Sequence, residues 1–167
     1  MIEIQAPNPT PFEYRDNFTL FLAGSIEMGT AEHWQKRVVE ALKDCKRLTI
    51  YNPRRDDWDS SWVQSIDNPQ FRVQSIDNPQ FIEQVEWELD NLQRANLAIF
   101  YFDPSTKSPI TLMELGMMSN PWSPRTLVVC PKGFRRRGNV EIFCAREGIE
   151  FFETLDDAIS VCRTFLG

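Results

Sequence analysis

The chain has 167 residues, 42% hydrophobic and 25% charged, enough for one soluble domain with a proper core. Its formal net charge of −6 argues against nucleic acid or an anionic membrane as main partner, because both call for a basic surface. The one basic cluster, Lys132 to Arg137, is local. No apolar run approaches the roughly 20 residues of a membrane span, and MIEIQAPNPTPFEY at the start lacks the charged and apolar regions of a signal peptide. Cys45, Cys130, Cys144 and Cys162 lie far apart, and there is a single histidine, so no zinc ligand set is expected. Cys130 and Cys162 sit in apolar patterns as core thiols. A reduced, cytoplasmic protein is the expectation.

Residues 1–17, with Pro7, Pro9 and Pro11, read as an extended N-terminal arm. Phe18–Ala23 is the first buried strand, and Gly24 to Thr30 the loop at its carboxyl end. Ala31 to Cys45 reads as a helix, with Trp34, Val38, Ala41 and Leu42 on one face. Arg47–Tyr51 is a second strand, so these pieces make a βαβ unit. The long polar stretch from Asn52 to Phe81 contains VQSIDNPQF twice, at 63–71 and at 73–81. Two copies are too few and too short for a solenoid. A tandem duplication absorbed by a surface loop explains them, with one copy redundant.

Ile82 to Ala95 reads as a helix with Val85, Leu89 and Leu92 inward and Glu88 free to face solvent or a pocket. The stretch Leu97 to Asn120 organises the chain. Leu97–Phe102 is a continuous apolar run, as expected of a strand covered on both faces. Asp103-Pro104 stops it, and Thr111 is the expected cap of a helix carrying Glu114 in its first turn. Thr126–Cys130, a helix over 137–146, a short strand at 150–152 and a closing helix over 155–165 complete the alternation. The expected fold is a flavodoxin-like, doubly wound α/β sheet of about five parallel strands with helices on both faces, one domain over 18–167.

In such sheets ligands bind at the carboxyl ends of the strands, so Glu114 is a candidate nucleophile or base. An acid in a first helical turn also complements the helix dipole, and both readings stand. Gly24-Ser25 lets backbone approach a ligand, or is an ordinary strand-to-helix turn. It is neither a Walker loop nor a dinucleotide fingerprint. Asn52 to Asp59 (NPRRDDWD) is either a solvated turn or a pocket wall. In the second case Trp58 would stack on a base, and Asp56 and Asp57 would bond ring edges or sugar hydroxyls.

The segments FLAGSI at 21–26, NPRRDDWD at 52–59, QVEWELDNLQRANLAIFYFD at 84–103, SPITLMELG at 108–116 and KGFRRRGNVEI at 132–142 together resemble the nucleoside 2-deoxyribosyltransferase-like family. Only one VQSIDNPQF copy fits that pattern. The resemblance implies a flavodoxin-like fold, a homo-oligomer and a role in nucleotide salvage. It also implies two-step transfer of 2-deoxyribose from a deoxynucleoside to another free base, with no metal or organic cofactor. Glu114 matches the nucleophile, and Glu88 a family acid that orients substrate. Asn139 resembles an Asn placed in a neighbouring subunit's site, and Gly24 and Ser25 would line the pocket floor. The leaving base needs a proton, for which Asp57 and Asp103 are candidates. Ser108 stands where better-known transferases carry an acid, about six positions before the nucleophile, and joins the pocket residues. Two other functions remain open: N-glycoside hydrolysis of a nucleoside or deoxynucleoside monophosphate, and nucleoside binding without turnover. Glu27, where related hydrolases carry an Arg, would repel a 5′-phosphate and favours a nucleoside.

Overall fold

A computed structural model describes residues 1–26, 31–55 and 78–166. Six strands form one all-parallel sheet: β1 (Ile2–Gln5), β2 (Phe18–Gly24), β3 (Leu48–Asn52), β4 (Leu97–Tyr101), β5 (Arg125–Val129) and β6 (Glu150–Phe152), in the order β1-β3-β2-β4-β5-β6. The five helices are α1 (Trp34–Ala41), α2 (Pro79–Arg94), α3 (Pro109–Met117), α4 (Arg137–Glu147) and α5 (Leu155–Leu166). Without β1 the strand order is that of flavodoxin, and its direction reverses between β2 and β4. The expected doubly wound architecture is therefore present, with a sixth strand. That strand comes from the N-terminal arm: Ile2 to Gln5 pair with Thr49 to Asn52. No described helix is long and apolar enough to cross a membrane.

Strand β4 shows why the sheet is covered on both faces. Leu97, Ala98, Ile99 and Phe100 are fully buried and Tyr101 nearly so. Alternate residues belong to two cores. Ala98 and Phe100 pack with Leu92, Leu115, Val140 and Cys144, beneath α2, α3 and α4. Leu97, Ile99 and Tyr101 pack with Trp34, Val38, Leu155, Ile159 and Cys162, beneath α1 and α5. Each buried Leu, Ile or Phe contributes roughly 1.5–3 kcal/mol, so the middle of the sheet is its most stable part. Cys130 and Cys162 are buried free thiols, as their apolar settings predict.

Three helix boundaries differ from expectation, each for a local reason. Helix α1 is shorter than 31–45 because the Leu42 N–H is shared between the carbonyls of Val38 and Val39, which tightens and ends it. Leu42 stays buried in the following turn, so the apolar spacing reads on past the helix. Helix α2 starts ahead of Ile82, since Asn78 accepts the N–H groups of Gln80 and Phe81 and Pro79 fills the first position. Helix α3 starts at Pro109 with Ser108 as its cap residue, so Thr111 lies inside the helix. Glu114 then falls in the second turn, beyond the reach of the helix N-terminus, and the dipole reading of this acid is withdrawn. The duplicated segment lies outside the described residues up to residue 77; Asn78 to Phe81 of its second copy cap and open α2.

Gly24 marks where the two central strands meet most closely. A Cβ there would lie 2.6 Å from the Tyr101 carbonyl oxygen and 2.8 Å from the Trp34 ring, and the backbone oxygen has no room to yield. Gly116, in α3, faces open space. Replacing Gly24 by Ala is expected to cost about 2 kcal/mol, roughly 4–8 °C in Tm. Gly116→Ala should be neutral or stabilising by up to about 1 kcal/mol. Thermal unfolding of both variants checks this, and equal effects would contradict the packing assigned to Gly24.

Candidate active site

The reversal between β2 and β4 leaves a crevice at their carboxyl ends, and the residues after each strand are tied across it. Ser25 N–H donates to the Tyr101 carbonyl at 2.9 Å, and the Trp34 indole N–H donates to the Ser25 carbonyl at 3.0 Å. Ser25 Oγ accepts the Asp103 N–H at 2.9 Å. It also closes a triangle of hydroxyls with Thr106 Oγ1 at 2.9 Å and Ser108 Oγ, and those two are 2.7 Å apart. All three residues are buried. The triangle holds Ser108 in a left-handed conformation (φ 47°, ψ 50°), from which the chain turns into α3.

Asp103 is an acceptor held ionised. Its Oδ2 takes the Glu32 N–H at 2.7 Å, and its Oδ1 takes the Ser105 N–H at 2.8 Å and hydroxyl at 2.5 Å. Burial pushes its carboxyl up, but the Ser105 hydroxyl and the two backbone N–H groups outweigh it and hold the group below the usual carboxylate range.

Glu114 and Glu88 behave in the opposite way. Glu114 projects from the second turn of α3 and is only 6% exposed, with no hydrogen-bond donor on its carboxyl among the described residues. Burial pushes it up to about 8, and the charge of Glu88 adds to the shift. Glu88, on α2, is pushed up to about 7 by burial, which a hydrogen bond from Gln84 partly offsets. The charge of Glu88 acts on Glu114, so the two carboxyls titrate as a coupled pair. One acid ready to give a proton beside one ready to act as nucleophile is what cleavage of a glycosidic bond requires.

The structure thus brings Gly24, Ser25, Asp103 and Ser108 together at the crevice floor and couples Glu88 to Glu114 beside it. Asn139 is not joined to them: it is exposed on the first turn of α4, and no hydrogen bond reaches its side chain among the described residues. Asp56, Asp57, Trp58 and Glu27 lie outside the described residues. Two participants had escaped notice. Thr106 completes the hydroxyl triangle, and its place between Ser105 and Ser108 in a polar loop was the available signal. Gln84, four residues before Glu88 on the same helix face, was hidden because the Val85, Leu89 and Leu92 stripe draws attention away from it. Among the described residues no group of three or more His, Cys, Asp or Glu side chains is placed to hold a metal ion. A separate concavity of ≈ 390 Å³ lies along β1. Its one acid, Glu3, accepts a hydrogen bond from Asn52 Nδ2 at 2.7 Å.

The raised carboxyls carry a pH signature. In the folded chain both hold their protons more tightly than an exposed glutamate, whose value is 4.5. Their neutral forms therefore stabilise the fold, fully so below that value, and the contribution is lost as pH rises through about 7 and about 8. Urea unfolding between pH 6 and pH 9 should show falling stability, and Glu114→Gln should remove much of that slope. An unchanged slope in the variant would contradict the coupling.

Comparison with protein families places this geometry. The nucleoside 2-deoxyribosyltransferase-like family model matches residues 17–134, a span that begins just before β2 and takes in Gly24, Ser25, Glu88, Asp103, Ser108 and Glu114, with Asn139 just beyond it. No curated protein matches the chain. With most of the chain, the carboxyl ends of β2 and β4, and both Glu88 and Glu114 inside that match, the protein belongs to the nucleoside 2-deoxyribosyltransferase-like family.

Proposed function

We propose that this protein cleaves the N-glycosidic bond of a 2′-deoxynucleoside and transfers the sugar to another base through a covalent intermediate on Glu114. The observation that carries this reading is the pairing of buried Glu114 on α3 with half-buried Glu88 on α2, whose charge acts on it. In the first step a Glu114 carboxylate oxygen bonds to C1′ as the C1′–N bond breaks. In the reactive form the proton of the coupled pair is on Glu88 and Glu114 is ionised; the bonding pair leaves on the base nitrogen, which takes that proton. A second base then attacks C1′, gives its proton back to Glu88 and releases Glu114. A carboxylate under the ring stabilises the oxocarbenium character that develops at C1′ and then traps it.

We assign the proton to Glu88 in preference to Asp103, and Asp57 keeps its proposed place as an acid that supplies or relays it. Asp103 is unsuited to that task, because three donors fill its oxygens and hold it ionised. It fits a role in fixing the loop that carries Ser105 to Ser108. Asp57 and its neighbours Asp56 and Trp58 keep their proposed part as base and sugar contacts. Gly24, Ser25 and Ser108 form the floor, and the absence of a side chain at Gly24 serves the close packing of Tyr101 and Trp34 beneath it.

The assembly we propose is a homo-oligomer. Asn139 and Ile142 are one helical turn apart on α4, and both are exposed, Ile142 at 72%. On α3, Ile110 and Met113 are also more than half exposed. An apolar contact through Ile142 would carry Asn139 into a neighbouring copy's site, where its amide could bind sugar hydroxyls.

Glu114→Ala is expected to lose at least about 10³-fold in kcat/KM. Mass spectrometry of the wild-type protein quenched with a deoxynucleoside should show one added deoxyribosyl group on the peptide containing Glu114. An active enzyme with no adduct, or a Glu114→Ala variant with wild-type turnover, would contradict the nucleophile assignment. Mixing Glu114→Ala with Asn139→Ala protein should restore part of the activity if Asn139 serves a neighbour's site; no recovery would contradict that placement.

A further inference from the structure

Gln84 is 98% removed from solvent yet polar, and its amide is used unevenly. Its Nε2 lies 3.2 Å from the Pro53 carbonyl oxygen and 2.5 Å from Glu88 Oε1. Both are acceptors, so the two amide hydrogens are spent on them. Its Oε1 is buried with no partner among the described residues. The reverse orientation would set that oxygen against the Pro53 carbonyl oxygen, which only accepts, so the amide is assigned as it stands. An orphaned buried acceptor is a cost that a methionine or leucine of similar size would avoid. Packing alone therefore does not account for a glutamine here, whereas the service its N–H groups give to Glu88 does.

We infer that Gln84 is the positioning residue of the proton donor: anchored to the Pro53 carbonyl at the exit of β3, it holds Glu88 Oε1 as an acceptor and leaves the proton of the neutral acid on Oε2. This inference rests on the role proposed above for Glu88. The chemistry is direct. A carboxyl oxygen that accepts a short N–H bond is the poorer place for a proton, because N–H and O–H would then face each other. The proton sits on the other oxygen, and the acid delivers it from one defined position instead of two. The anchor matters as much as the contact, since Pro53 joins Gln84 to the sheet and α2 cannot turn Glu88 without breaking that bond. Among the described residues the titratable group coupled to Glu88 from another element is Glu114 on α3, on which the Glu88 charge acts, and the residue after β3 meets Gln84 through the uncharged Pro53 carbonyl.

The test is Gln84→Met in the whole protein, read in two independent ways. Carboxyl-carbon NMR, with the Glu88 signal assigned by its loss in Glu88→Gln, follows the titration of that group without any substrate. Loss of the N–H donor should move its midpoint upward by about one pH unit. Steady-state kinetics should show kcat about tenfold lower, KM within about twofold, and the alkaline limb of the pH profile shifted up with the NMR midpoint. A Glu88 titration that stays in place or moves down overturns the inference, as does an upward shift with kcat unchanged. If Gln84→Met does not fold, Gln84→Asn replaces it; its amide is one methylene too short to bridge Pro53 and Glu88, and the same shift is expected. Because the NMR readout needs no turnover, a wild-type protein that is inactive yet shows the shift fails the proposed reaction alone. An active wild type without the shift fails the Gln84 assignment alone.

Discussion

Ser25 Oγ is the point from which the site is built. It lies one residue past β2, fully buried, and receives the N–H of Asp103, two residues past the end of β4. Its bonds to Thr106 and Ser108 pull the following loop back onto the sheet and set where α3 begins. The contact exists only because Gly24 lets β2 lie against Tyr101 without a side chain between them. Glu114 inherits its position from this sequence of contacts: strand contact, hydroxyl triangle, helix start, then a carboxyl turned into the interior one and a half turns later.

What makes that carboxyl chemically useful is what surrounds it. Leu115, Leu92 and Phe100 belong to the core beneath α2 and α3, and among the described residues no side chain or backbone group donates a hydrogen bond to the Glu114 carboxyl. Burial penalises a lone charge heavily, and a second acid nearby raises the penalty further. The fold accepts this cost and gains two coupled carboxyls raised toward neutral pH. Asp103, a short distance along the chain, shows the alternative: three hydrogen-bond donors make it a permanent anion. The same residue chemistry, acid on backbone, is thus divided between structure and reactivity by the donors each group is offered.

Much of this was legible in the chain itself. The runs around Leu20, Ile50, Ile99 and Val128 could only be strands covered on both faces, and their alternation with amphipathic helices implies the strand reversal where Gly24 and Ser25 lie. Glu114 stood out as an acid among apolar neighbours, whereas Glu88, open to either solvent or a pocket, drew its candidacy from the family resemblance. Other features depend on tertiary contact and could not be read locally. Ile2 to Gln5 is too short, and too close to three prolines, to announce a strand until β3 offers it an edge. Ser108-Pro109 is a helix start that was available in the sequence, yet Thr111 has the more usual capping chemistry. The left-handed backbone of Ser108 decides the matter, and it depends on Ser25, distant in the chain. The coupling of Glu88 to Glu114, and the anchoring of Gln84 to Pro53, arise from the packing of α2 against α3 and β3, which no periodicity encodes.

The central claim is that the Glu114–Glu88 pair transfers a sugar between bases. It is tested most directly by incubating the protein with 2′-deoxyinosine, with and without excess adenine, and separating the products. The account predicts deoxyadenosine only when adenine is present, with hypoxanthine released in equal amount. Hypoxanthine and free deoxyribose formed at the same rate without adenine would contradict transfer and make water the acceptor. No product from any deoxynucleoside or its monophosphate would contradict a catalytic role for Glu114 altogether.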